Sequence, residues 1–268
     1  MKTFSFNPSL KTFCGAIFLG LTVMSCNFGQ KKLWHESGVN VQKSFLLQPF
    51  TSLNVSVPMD VKIIPSNQYR IVMNVDSSLV PLISIHNENQ LLQISLAKKE
   101  YFSTRSKGMI MVFVDSLYYL KNNSVGNVLF TDTLHVSHFN MVNDGVGNTS
   151  LMVVAPQLSI RNAAVGKFLV WLKTDSLNFI NSAVGTTFLS GYSINSSIEN
   201  SGVGSLNAKG LINQTLHMKN SGVGSAEVYA AKAFYVTNSA VGHLTLVGSG
   251  EMKELHDSGL SKTKHVIN

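Results

Sequence analysis

One five-residue motif, Asn followed by a small or polar residue, a small residue, Val and Gly, returns seven times from residue 122 onward. The copies begin at Asn122, Asn143, Asn162, Asn181, Asn200, Asn220 and Asn238 and end at Gly126, Gly147, Gly166, Gly185, Gly204, Gly224 and Gly242. Successive glycines lie 21, 19, 19, 19, 20 and 18 residues apart, and a degenerate eighth copy, DSGLS, stands at 257–261. A unit this short cannot bury an apolar side alone, so it must stack on its neighbours.

The flanks of the motif repeat as well. Two residues before each Asn stand Leu120, Met141, Ile160, Phe179, Ile198, Met218 and Val236. Two residues after each Gly stand Val128, Thr149, Phe168, Thr187, Leu206, Ala226 and Leu244. Period-2 alternation on both sides of a fixed corner predicts strand, corner, strand. With strands ~4.8 Å apart along the stack, the chain is expected to be all-β. The expected architecture is a right-handed parallel β-helix of about seven 19–20-residue coils with an N-terminal β-strand cap. Gly supplies positive φ at the corner, Asn tolerates it, and Asn side chains in register are expected to bond from coil to coil as a ladder. Val184, Val203 and Val223 are expected to form a buried column, with Thr186 pointing outward. A leucine-rich repeat would need an L-x-x-L-x-L frame, which is missing, and hexapeptide triplets do not divide into this spacing.

Residues 45–120 lack the motif but alternate in short runs, such as 53–57 (LNVSV), 69–75 (YRIVMNV) and 91–96 (LLQISL), separated by Pro58, Pro65 and Asn87–Asn89. A repeat stack needs a distinct end cover, so 45–120 is assigned as cap strands and 121–261 as coils of a single domain, 45–268. Residues 26–44 are polar without strand alternation and are read as a tether.

The first 25 residues read as an address. Lys2 and Lys11 precede a dozen-residue apolar run, 13–24, too short for a transmembrane helix of roughly 20. The run ends in Val23-Met24-Ser25-Cys26, which resembles a bacterial lipobox. Cleavage between Ser25 and Cys26 and lipidation of Cys26 would anchor the chain and leave it no free thiol, since Cys14 is removed with the signal. The expected location is the outer membrane of the cell envelope. Residues 27–32 lack an acidic run, which favours the periplasmic side over the surface while leaving the side open.

Chemistry-bearing patterns are sparse. His135 and His138 form H-x-x-H, but i and i+3 on a strand point to opposite faces. Asp132, Asp175, Glu199 and Glu227 fall in different columns or distant coils, so no paired-carboxylate site is expected. No cofactor or metal is expected, and no catalytic residue is assigned. Charged residues are only 13% of the chain and no Lys/Arg run exceeds two, which argues against a nucleic-acid partner. Ser116, Thr133 and Ser176, each in an Asp-Ser/Thr-Leu triplet, resemble an O-glycosylation acceptor of some Gram-negative envelope proteins, though Asp-Ser/Thr is also turn chemistry.

Signal, cap pattern and corner repeat together resemble the auto-transporter adhesin family with the head GIN domain, over about residues 45–260. Phe50-Thr51-Ser52-Leu53-Asn54-Val55 is similar to the family's F-x-x-I/L-x-V opening, and Leu79-Val80-Pro81-Leu82-Ile83 with 91–96 to its mid-cap segment. NSGVG and NSAVG take the place of the family's GSG-like corners. The resemblance implies a β-helix related in shape to pectate lyases and an adhesive role without catalytic residues. The function expected is that of a non-enzymatic envelope lipoprotein that binds a glycan or protein partner. A polysaccharide lyase or hydrolase, and a periplasmic structural or signalling lipoprotein, stand as alternatives.

Overall fold

The computed structural model describes residues 36–97, 108–258 and 260–267, which all fall in one compact unit, Leu33–Asn268. In the N-terminal part the strands are β1 (Asn40–Leu46), β2 (Ser52–Ser56), β3 (Asp60–Pro65), β4 (Arg70–Asp76), β5 (Ile83–Glu88), β6 (Leu91–Leu96) and β7 (Met109–Val114). The repeats contribute β8 (Tyr119–Asn122), β9 (Val128–Phe130), β10 (Leu134–His135), β11 (His138–Asn143), β12 (Thr149–Val154) and β13 (Gln157–Asn162). They continue as β14 (Val165–Asn181), β15 (Val184–Asn200), β16 (Val203–Asn220), β17 (Val223–Asn238), β18 (Val241–Val247), β19 (Glu251–Asp257) and β20 (Lys262–Val266).

These strands wind into a parallel β-solenoid with two long walls. Sheet 1 holds the residues that lead into each motif Asn and runs β5–β6–β2–β8–β11–β13–β14–β15–β16–β17–β19. Sheet 2 holds the residues that follow each motif Gly and runs β1–β4–β7–β3–β9–β12–β14–β15–β16–β17–β18–β20. Strands β14 to β17 serve both walls: residues 165–174 pair in sheet 2, and 176–181, after the bend, pair in sheet 1. Inward side chains of both walls meet in one core, whose large members include Phe50, Phe139, Phe168, Phe179 and Phe234. Phe168 and Phe179 face each other across it as near-parallel rings 6.3 Å apart.

The corner is built around its asparagines. Asn122, Asn143, Asn162, Asn181, Asn200, Asn220 and Asn238 all point inward and are buried. Each Nδ2 donates to the Oδ1 of the next Asn, at 2.8 to 3.0 Å, from Asn122 through to Asn238. Asn238 Nδ2 then donates to Asp257 Oδ1 at 2.9 Å. A buried amide needs partners for both its ends, and the coil spacing supplies them. Two positions on, the chain points inward again, where only Ser124, Gly145, Ala164, Ala183, Gly202, Gly222 or Ala240 stands. At Gly202 an added Cβ would lie 2.7 Å from Ala183 O and 3.0 Å from Asn181 Nδ2, so even the Ala of neighbouring coils would fit there only if the backbone shifted. The closing glycines take φ of +129 to +137 from Gly147 to Gly242, and a Cβ on Gly204 would lie 2.0 Å from Gly185 O. That position therefore excludes every side chain twice over, by conformation and by contact.

This geometry corrects the expected valine column. Val184, Val203 and Val223 are 50%, 52% and 50% exposed. The inward alternation at the corner is taken by the Asn and the small residue, so the valine between small residue and Gly must point out. The valines form an aliphatic ridge along the outside of the corner. Thr186 does point outward and is half-buried.

The solenoid starts inside the segment read as a cap. β2 and β3 lie in register on β8 and β9, with Val55 opposite Asn122 and Val61 opposite Val128. They form a coil in which a valine replaces the motif Asn. The coil built from β6 and β7 sits beyond it, although it comes later in the chain. β5, β4 and β1 then pair antiparallel and close that end. Part of the expected tether is ordered too: Asn40–Leu46 is β1, laid on β4. Six of its seven residues are exposed, so it carries no inward face whose alternation could be read.

Asp76 holds this N-terminal edge. Its Oδ1 accepts from Ser37 N (3.0 Å), Ser37 Oγ (2.8 Å) and Ser78 N (2.9 Å), and its Oδ2 from Gly38 N (2.8 Å). Burial pushes its carboxyl up, but the hydrogen bonds from Ser78 and Ser37 outweigh this and hold it well below the usual carboxylate range.

Two predictions follow from the corner and the edge. Asn181→Ala would leave Asn162 Nδ2 and Asn200 Oδ1 buried without ladder partners, at about 1–3 kcal/mol each. Val203→Asp, at an outward position, should cost under ~1 kcal/mol. Denaturant unfolding of both variants checks the order, and equal losses would contradict the register. For Asp76 the depressed pKa means its contribution is complete above the unfolded value of about 4 and fades as pH falls below it. The melting-temperature gap between the wild type and Asp76→Asn should therefore be full near neutrality and begin to narrow only as pH falls below about 4, with most of it persisting at about pH 3.

Candidate functional site

The motif Asn and the small residue two positions on point inward, so the outward side chains of the two walls are the broad surfaces open to a partner. Sheet 1 exposes three columns per coil. The middle one runs Tyr119, Asn140, Ser159, Asn178, Ser197, His217, Tyr235. One column nearer the corner stand Lys121, Val142, Arg161, Ile180, Glu199, Lys219 and Thr237. The His217 and Tyr235 rings stack at 4.4 Å and 7°. With Ser197, Glu199, Lys219 and Thr237 they border a shallow depression of about 190 Å³. His138 stacks in the same manner on Tyr118, at 4.7 Å and 8°. Sheet 1 is thus a flat surface of hydrogen-bonding groups repeated at the strand spacing, with two flat ring pairs on it.

Sheet 2 differs. In its middle section Leu169, Trp171, Phe188, Tyr192 and Ile212 point outward with 37–43% exposure. Met152 flanks Trp171, and Leu169 lies directly beside Phe188. Strands rich in uncharged Ser, Thr and Asn, which the sequence offers as a flat hydrogen-bonding wall, describe sheet 1 and not this section. The signal was present: residues 168–172 are apolar without interruption, the mark of a strand with both faces apolar.

The remaining candidates are placed as follows. His135 and His138 are both exposed and are not joined by a metal-competent set. Among the described residues no group of three or more His, Cys, Asp or Glu could hold an ion. His217 and His243 stand on different walls. Glu227 pairs with Lys209 at 3.0 Å, and Arg161 with Asp144 at 2.7 Å. Ser116, Thr133 and Ser176 lie where the chain turns out of sheet 2. The leucine after each, Leu117, Leu134 or Leu177, is buried in the core. There the Asp-Ser/Thr step makes the turn: Thr133 N donates to Asp132 Oδ1 at 2.7 Å. Residues 1–35, which hold the expected signal segment, Cys26 and the first part of the tether, lie outside the described residues. Among the described residues no helix is long and apolar enough to cross a membrane.

Solved structures share this architecture. A putative adhesin from Parabacteroides merdae ATCC 43184 aligns with a TM-score of 0.75 at 19% identity, covering 87% of this chain and 99% of that one. A putative adhesin from Bacteroides fragilis NCTC 9343 aligns at 0.68 and 19% identity, over 86% and 99%. A protein from Parabacteroides distasonis ATCC 8503, described as a putative lipid binding protein, aligns at 0.76 and 15% identity, over 88% and 100%. No curated protein matches the chain. The family model described as "Putative auto-transporter adhesin, head GIN domain" matches residues 49–250, three quarters of the length, and it is to this family that the chain belongs.

Proposed function

We propose that the protein is an exported, lipid-anchored, non-enzymatic binding module of the cell envelope, and that sheet 1 is its binding wall for a glycan. The observation that carries the reading is the middle column of sheet 1. There Asn140, Ser159, Asn178 and Ser197 stand in register on successive coils and lead into the His217–Tyr235 ring pair. Side chains that donate and accept at a fixed ~4.8 Å interval suit a polymer of repeating hydroxyls. Flat rings suit the apolar face of a sugar ring. Membership of an adhesin family and the scattered acids agree with binding rather than cleavage.

Acylation of Cys26 supplies the anchor. Cys26→Ala should move the protein from the membrane fraction to the soluble one, and wild type lacking any lipid mass on its first residue would remove the anchor from the proposal. For the wall, a glycan array probed with the mature chain should give hits that His217→Ala with Tyr235→Ala weakens at least tenfold. Single Asp132→Asn, Asp175→Asn, Glu199→Gln and Glu227→Gln changes should leave binding within about tenfold, ~1.4 kcal/mol. Release of reducing or unsaturated sugar ends that disappears with one of those four would convert the reading to an enzyme, where loss of an acid or base costs ~10² or more.

A further inference from the structure

The apolar section of sheet 2 has a composition that sheet 1 lacks, and its charges share one sign. Leu169, Trp171, Phe188, Tyr192 and Ile212 lie on three adjacent strands and remain 37–43% exposed. On the strand that carries Trp171, Lys167 and Lys173 bracket the patch, both exposed. No Asp or Glu stands on β9, on β12, on residues 165–174 of β14 or on residues 184–193 of β15. Asp175 begins the turn beyond, and Lys209, on the far side, is already paired with Glu227. An exposed apolar patch of this kind on a soluble face marks an interaction surface. Trp and Tyr with lysine stems at the edge are the side chains that settle at a bilayer's headgroup level, and a single-sign basic rim matches anionic headgroups.

The chain's own connectivity points the same way. β1, the strand that receives the segment from Cys26, is the edge strand of this same sheet. Asn40 lies fourteen residue steps after Cys26, so the connecting chain can span at most ~50 Å. Seven strand steps, ~34 Å, separate β1 from the strand that carries Phe188. A surface contact too weak to hold a free protein becomes effective once a lipid confines the protein beside the membrane.

We propose that the outer face of sheet 2 around Trp171 and Phe188 seats on an anionic phospholipid surface, so that the solenoid lies along the membrane with sheet 1 turned away from it. The proposal rests on the lipid-anchored reading for its biological setting, but the seating itself is a property of the lipid-free chain and is tested on it. The mature chain with Cys26→Ala, in a Trp34→Phe background, leaves Trp171 as its single tryptophan. Mixed with phosphatidylethanolamine vesicles containing phosphatidylglycerol, it should co-sediment, and lipids brominated near the headgroup should quench Trp171. Vesicles without phosphatidylglycerol, or raised salt, should weaken the binding several-fold. Phe188→Ser with Tyr192→Ser should lower partitioning at least tenfold, and Lys167→Glu with Lys173→Glu should abolish the preference for the anionic lipid. The sheet 1 pair His217→Ala and Tyr235→Ala should bind vesicles as wild type does. All these positions face outward, and matching melting curves for each variant establish that it is folded. Several results would overturn the proposal: no vesicle binding by the wild-type face, equal binding by the Phe188→Ser/Tyr192→Ser variant, dimerisation through Phe188 in place of adsorption, or glycan binding that follows Phe188 and not Tyr235. Lipid absent from Cys26 in the native protein would remove the anchor alone and leave the vesicle result standing.

Discussion

A buried amide cannot be left half-paired, and this requirement sets the form of the molecule. An Asn side chain inside a protein must find a donor for its oxygen and an acceptor for its nitrogen. In this chain the same side chains one coil up and one coil down supply both, with the Thr149 and Thr187 hydroxyls beside them. Satisfying them locks the stacking register, because a one-residue slip would carry every Asn to the outside and strip each of its partners. The Gly that follows each corner enforces the same register by contact, its backbone pressed against the Gly beneath. Hydrophobic burial supplies the driving force for the stack, and the amide column decides which stack forms.

The dominant architecture was legible because the corner writes itself into the sequence. Asn and Gly stand for different reasons at a fixed separation in all seven copies, so the period is visible. The errors fall where the same logic is silent. The valines were assigned inward because valine is the apolar member of the motif, but the interior at that point belongs to the amide, and polarity alone could not reveal this. The coil of β2 and β3 carries Val55 where the others carry Asn, so its membership of the stack is visible only in the pairing. β1 shows no alternation because it covers an edge instead of a core. The apolar section of sheet 2 was hidden in plain letters, since an unbroken apolar run reads as a core strand until its register is known.

The two walls share a core and divide the surface. The inward positions of both are under one constraint, to fill the space between the walls, while the outward positions answer to no packing demand. Sheet 1 carries mostly hydrogen-bonding groups in its middle column, and sheet 2 collects aromatic and aliphatic groups on three adjacent strands. Variation in coil length is absorbed away from the corner. The pairing shifts between Phe188 and Ser190 and between Ala208 and Thr215, on the run through the turn out of sheet 2, and once in sheet 1 between Phe234 and Tyr235, while the Asn and Gly positions keep their alignment. Recognition can thus change by substitution on the walls, or by extra residues at that turn, without disturbing the corner.

The amide column also has a direction. Every Nδ2 points towards the C-terminal end, so each coil offers a donor to the coil that follows it and an acceptor to the coil before. A further coil of the same kind could always be added, unless something refuses to pass the hydrogen bond on. Asp257 does so: its carboxylate receives the proton donor of Asn238 and has none of its own to give. The side-chain difference between Asn and Asp, one NH₂ for one oxygen, is a stop signal written in the grammar of the ladder.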